Sequence, residues 1–188
     1  CGTVLLDQVQ VDNDLVVDIW RQSEVPNIQG AVSQLIQAAI DAGIAEAAVT
    51  ETIAFVRERA RPWIDAKVER ASDDLYVIAD IGRLQLELHA AQALLAKAAR
   101  TLDEVDAGPL DATAAARASI AVAEAKVLTT EIALQASEKL FELAGSRATL
   151  AEFNLDRHWR NARVHTLHDP VRWKYHAVGA YHLNGTLP

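Results

Sequence analysis

The chain has 188 residues, enough for one domain with a full core, and its 51% apolar and 23% charged make-up is that of a globular protein. A net charge of −8 excludes a general nucleic-acid binder, because such affinity rests on neutralising phosphates. With aromatics at 5% and alanine abundant, the core must be built from close helix contacts between small residues.

No apolar run is long enough to span a bilayer, and no signal peptide is visible. The lone cysteine, Cys1, lacks an internal disulfide partner, so a reducing, cytoplasmic compartment is expected. The chain contains no methionine, even at position 1, and is expected to be the C-terminal part of a longer protein. Residues 4–17 carry strand-like apolar residues, Val4, Leu5, Leu6, Val9 and Val11, broken by the turn signal Asp12-Asn13-Asp14. Residues 1–25 are therefore expected to be a strand remnant and linker, and residues 26–188 an all-α antiparallel bundle of the four-helix type.

A first helix is expected over 28–59, stopped by Pro62, which lacks an amide and clashes with the preceding turn. Gly43 in its middle costs about 1 kcal/mol relative to alanine, which suggests a close backbone approach there. A second helix is expected over 73–106, ended by Gly108-Pro109, with the seam Leu84, Leu88, Ala91, Leu95, Ala98 and Leu102. A third begins after the cap candidate Asp111 and ends near Gly145, with the seam Ile120, Ala123, Val127, Thr130, Leu134, Ser137 and Phe141. Shorter helices over 150–163 and 169–181 complete the chain, Pro170 being tolerated in a first turn.

Chemistry concentrates late. Residues 154–176 hold four of the six histidines, two of the four tryptophans and four arginines. A di-metal carboxylate bundle needs inward Glu-x-x-His pairs, and the sequence contains none. In His165-Thr-Leu-His168-Asp169, two histidines three apart share a helical face, and Asp169 is placed to orient either ring. The pair reads as acid–base groups or as helix-end caps and partners for bundle carboxylates. Arg163 and Arg172 beside it would repel a metal cation. Arg59, with Arg57 and Arg61, closes the first helix, and Arg147 follows Gly145-Ser146 after the third. Each arginine either complements a helix dipole or offers a planar fork to an anion. Trp159, Trp173 and Tyr175 are candidate walls of an apolar pocket.

Val9-Gln-Val11-Asp-Asn-Asp-Leu-Val, Phe55-Val-Arg-Glu-Arg59-Ala-Arg61 and Leu140-Phe-Glu-Leu-Ala-Gly145-Ser together resemble the C-terminal half of the acyl-CoA dehydrogenase superfamily. Residues 154–179 are similar to its flavin-dependent monooxygenase branch, that of dibenzothiophene monooxygenase and the sulfur-acquisition oxidoreductases. A dehydrogenase needs a glutamate to remove the α-proton, in a late loop or on the first bundle helix. No glutamate follows Glu152, and none lies between Val25 and Ala45, so the oxygenase branch fits better.

The resemblance implies oxygenation of a small organosulfur compound through a flavin hydroperoxide. His165 and His168 would sit near the flavin ring as catalytic groups, with Asp169 as orienter. Arg59, Arg147, Gly145 and Ser146 would bind the cofactor phosphate, one arginine across a subunit boundary. The cofactor would be FMN, reduced by a separate NADH-dependent reductase, with FAD the alternative. The assembly would be a homo-oligomer, a tetramer. The rival readings are an FAD-dependent acyl-CoA dehydrogenase and a catalytically silent helical oligomerisation domain.

Overall fold

The computed structural model describes residues 2–188, for residues 22 and 23 the backbone alone; Cys1 and the expectation about its thiol lie outside them. Among the described residues there are five α-helices and no strand. They are α1 (Gln29–Glu58), α2 (Leu75–Asp106), α3 (Ala112–Ala144), α4 (Asp156–His165) and α5 (Arg172–Asn184). At 1.5 Å per residue the first three are each about 45–50 Å long. The short connection at 107–111 folds α3 back on α2, and the turns at Ile64–Ala66 and Ala71–Asp73 reverse the chain between α1 and α2. α1 and α3 therefore run in the same direction and end together. Among the described residues no helix is long and apolar enough to cross a membrane.

Local sequence accounts for the helix ends. The Asp74 carboxylate accepts the Tyr76 amide at 2.8 Å to start α2, and Asp111 accepts the Ala114 amide at 2.8 Å to start α3. α3 ends at Gly145, whose φ of 78° and ψ of 177° lie in a region open essentially to glycine alone. Gly185, at φ 67°, closes α5, with its amide on Tyr181 O and that of Thr186 on Ala180 O.

α3 is the central element, packed against each of the other four helices. That explains why one seam does not describe it. Ile120, Ala123, Val127, Thr130 and Ser137 are buried as expected, while Leu134 and Phe141 are only half-buried. A second face, Ala118, Val122, Ala125, Thr129, Ile132, Ala133, Ala136 and Leu140, is enclosed as well. The core is small-residue packing: Ala45, Ala48, Ala91, Ala133 and Ala136 surround Val49, Leu84, Leu88 and Ile132. Each of these larger side chains contributes about 1.5–3 kcal/mol by leaving water.

Three expectations need correction. Residues 4–17 form no strand; Val4, Leu5 and Leu6 are 78–88% exposed, and the chain makes only 3₁₀ turns at Asn13–Leu15 and Ile19–Glu24. A strand without a partner leaves its backbone groups unpaired, and none of the described residues supplies one. Gly43 faces open space, with nothing within 4 Å of the position a Cβ would take. The last two helices start later than expected. Asn154 takes a left-handed φ of 48° and breaks 150–163, so α4 begins at Asp156. Pro170 stays outside α5, which begins at Arg172, and its carbonyl accepts the Trp173 amide at 3.1 Å.

Candidate functional site

Because α1 and α3 end together, the residues just beyond them meet. Arg59, Arg61, Gly145, Ser146 and Arg147 line one cleft of about 610 Å³, with Pro62, Trp63 and Val77 as apolar walls. All four candidate phosphate-binding residues thus lie in one place. Two helix C-termini would give this end a negative potential, and the arginines reverse it. The two carboxylates on the cleft are engaged elsewhere: Glu142 holds Lys139 at 2.7 Å, and Asp74 caps α2. Gly145 and the 3₁₀ turn Ser146–Thr149 carry Arg147 back over the cleft.

Phe153 was not singled out from the sequence, yet it organises this cleft. The Arg59 guanidinium lies over its ring at 5.1 Å and that of Arg147 at 5.9 Å. The ring packs edge-on against Phe55 at 5.1 Å, which anchors it to α1. Its position depends on the turn at 150–153, in a stretch that periodicity alone assigns to helix.

A second constellation lies further down the bundle. Asp41 of α1 and Lys126 of α3 are both fully enclosed, with Lys126 Nζ 2.8 Å from Asp41 Oδ2. The Thr130 hydroxyl donates to the same oxygen at 3.0 Å. Asp41 Oδ1 is 2.5 Å from His165 Nδ1, at the end of α4. The ring of His165 is only 21% exposed, and its Nε2 is buried with no hydrogen-bond partner. His168 is exposed, and its Nδ1–H donates to the backbone carbonyl of His165. The two rings are 5.3 Å apart and tilted by 50°.

The carboxylate that orients His165 is therefore Asp41. Asp169 instead holds Lys174 at 2.7 Å at the start of α5. Asp41 had a legible signal, because it occupies the buried row Ala38, Asp41, Ala45, Ala48, Thr52 and Phe55, spaced three and four apart. Lys126 similarly interrupts the row Val122, Lys126, Thr129, Ala133 and Ala136. A charge inside an alanine row needs a buried partner, though the row cannot say which one.

The remaining aromatic and imidazole groups lie apart from these two constellations. His158 is buried, its Nε2 3.1 Å from Glu51 Oε2 without hydrogen-bond geometry, while Arg157 pairs with the other Glu51 oxygen. Together they fasten α4 to α1. Trp159, Trp173 and Tyr175 are half-exposed on two helices and make no ring contact with one another. The Tyr175 hydroxyl instead donates to Glu131, a bond that pushes the phenol pKa up, with burial and the carboxylate charge adding. Among the described residues no three metal-ligating side chains are grouped to hold an ion.

A helical bundle with an arginine cleft at the shared end of its first and third helices defines the class. Residues 35–173 match the family described as acyl-CoA dehydrogenase, C-terminal domain, and the chain belongs to it. It is 35% identical over 191 residues to a probable FMNH2-dependent monooxygenase of Pseudomonas putida, covering 100% of this chain and 48% of that protein. It is 37% identical over 184 residues to dibenzothiophene monooxygenase of Rhodococcus erythropolis, covering 97% of this chain and 44% of that protein. The fold matches the dibenzothiophene monooxygenase of Paenibacillus sp. A11-2, solved with FMN and indole. That match has a TM-score of 0.81 at 34% identity and covers 84% of this chain and 41% of that one. The chain spans about half the length of the curated relatives it matches.

Proposed function

We propose that this chain is the C-terminal helical part of an FMN-dependent monooxygenase that oxygenates a small organosulfur compound. On this reading residues 1–25 lead out of a middle β-domain, and a separate NADH-dependent reductase supplies reduced FMN. The observation that carries the reading is the convergence of Arg59, Gly145, Ser146 and Arg147 on one cleft, with Phe153 holding both guanidinium groups. Among the described residues neither arginine is paired with a carboxylate, so both forks are open to a phosphate.

The residues present suit a flavin. Reduced flavin supplies the oxygen-activating chemistry when bound. The arginines would hold its phosphate, and the His165–His168 pair would face its ring, where the buried Nε2 of His165 lacks a partner. A dehydrogenase base is not evident beside those histidines. Asp41, the carboxylate on His165, is fully buried and already accepts from three donors, so it is not free to take an α-proton.

Spacing supports a homo-oligomer. Arg59 is 18 residues beyond Asp41 and Gly145 is 15 beyond Thr130, which is about 22–27 Å along the helices. The ribityl chain of a single FMN is too short to bridge that gap. The arginines of one protomer would therefore hold the flavin whose ring faces another protomer's histidines, in a tetramer or other symmetric assembly.

The test measures the S-oxygenated product formed from dibenzothiophene with reduced FMN and O2. Arg147→Ala and His168→Ala should each abolish it, whereas co-assembly of the two variants should restore part of it through mixed sites. Anaerobic reduction of bound flavin by an acyl-CoA thioester would establish the dehydrogenase reading instead.

A further inference from the structure

The Asp41 cluster has a consequence for the histidines that their spacing does not reveal. A carboxylate only accepts hydrogen bonds, and so does a backbone carbonyl. Asp41 faces the buried Lys126 ammonium at 2.8 Å and takes the Thr130 hydroxyl on the same oxygen. Its remaining oxygen meets His165 Nδ1, so that nitrogen must carry the proton. The carbonyl of His165 in turn receives His168 Nδ1, which must carry a proton too.

We propose that Asp41, Lys126 and Thr130 are positioning residues that hold His165, and through its backbone His168, in the Nδ1–H tautomer, so that each ring, whenever it is neutral, offers Nε2 as a hydrogen-bond acceptor. This is the opposite of the Nε2–H form that free histidine favours in water. Lys126 Nζ and the Thr130 hydroxyl both take Oδ2 of Asp41 inside the core, and Oδ1 is left for one N–H alone. The chemical consequence rests on the flavin reading. An N–H or O–H group at the edge of reduced flavin, or on the substrate, would donate to His168 Nε2. A neutral ring held this way cannot itself donate from Nε2; donation requires the doubly protonated ring.

The tautomers can be read without flavin, which separates this proposal from the functional one. The experiment is a long-range ¹H–¹⁵N correlation spectrum of the histidine rings in the 188-residue chain, recorded above the range in which histidine is cationic. His165 and His168 should show a protonated Nδ1 and an unprotonated Nε2. In Asp41→Leu/Lys126→Met, which removes both buried charges and the acceptor facing Nδ1, His165 should shift toward the Nε2–H form while circular dichroism shows unchanged helix. An Nε2–H signature for His165 in the unmodified chain overturns the proposal, whatever the variants do. Retention of the Nδ1–H form in a folded double variant overturns the role of Asp41 and Lys126. If the double variant does not fold, the spectrum of the unmodified chain decides.

Discussion

Replacing Lys126 by methionine keeps most of the side-chain volume but strips the counter-charge from Asp41. Both side chains are 0% exposed, so no water can take over the missing partner. Removing one member of such a buried pair costs about 3–5 kcal/mol, because the other charge is left desolvated. Against a typical stability of about 5–15 kcal/mol, that is a large fraction of the total. Asp41→Asn should cost a similar amount by isolating Lys126. The double variant leaves no buried charge and at most one orphaned polar group, worth about 1–3 kcal/mol. The singles should therefore be far from additive, with a coupling of about 3 kcal/mol or more. Urea unfolding followed by circular dichroism, with slopes checked for constancy, measures all four corners of the cycle. Additive effects, with coupling below about 0.5 kcal/mol, would refute the reasoning, since they would mean that the two charges do not depend on each other.

Gly43→Ala should stabilise the chain by about 1 kcal/mol in the same assay, because a Cβ there meets nothing within 4 Å and alanine is the better helix former. Gly145→Ala should instead destabilise by about 1–3 kcal/mol, since its φ of 78° and ψ of 177° are closed to a side chain. It should also weaken FMN binding, measured by fluorescence titration, by displacing Arg147. The Tyr175 pKa is raised in the fold, so its bond to Glu131 stabilises the protein below the usual phenol value of 10.0 and is lost as pH rises through the higher folded value. Tyr175→Phe should remove that alkaline loss, leaving a flatter stability profile above pH 10 in thermal melts.

The three long helices were legible because their signals are local. Asp111 and Gly145 bound α3 by cap chemistry, Pro62 follows the end of α1, and of the α2 seam Leu84, Leu88, Ala91, Ala98 and Leu102 are buried as the spacing implies, with Leu95 only half-buried. The placement of Arg59 and Arg147 just beyond helix ends was also legible, since it depends on local sequence alone. What local sequence could not carry was adjacency. Only the shared direction of α1 and α3 turns two separate arginines into one cleft, and only the turn at 150–153 brings Phe153 between them. The carboxylate that meets His165 is set by the same adjacency. Asp169, four residues away, is close in sequence, whereas Asp41, 124 residues away, is close in space. A charge in the middle of an alanine row announces that something buried must answer it. Which residue answers is decided by how the helices pack, because electrostatic and hydrogen-bond partners are chosen by distance in the folded chain.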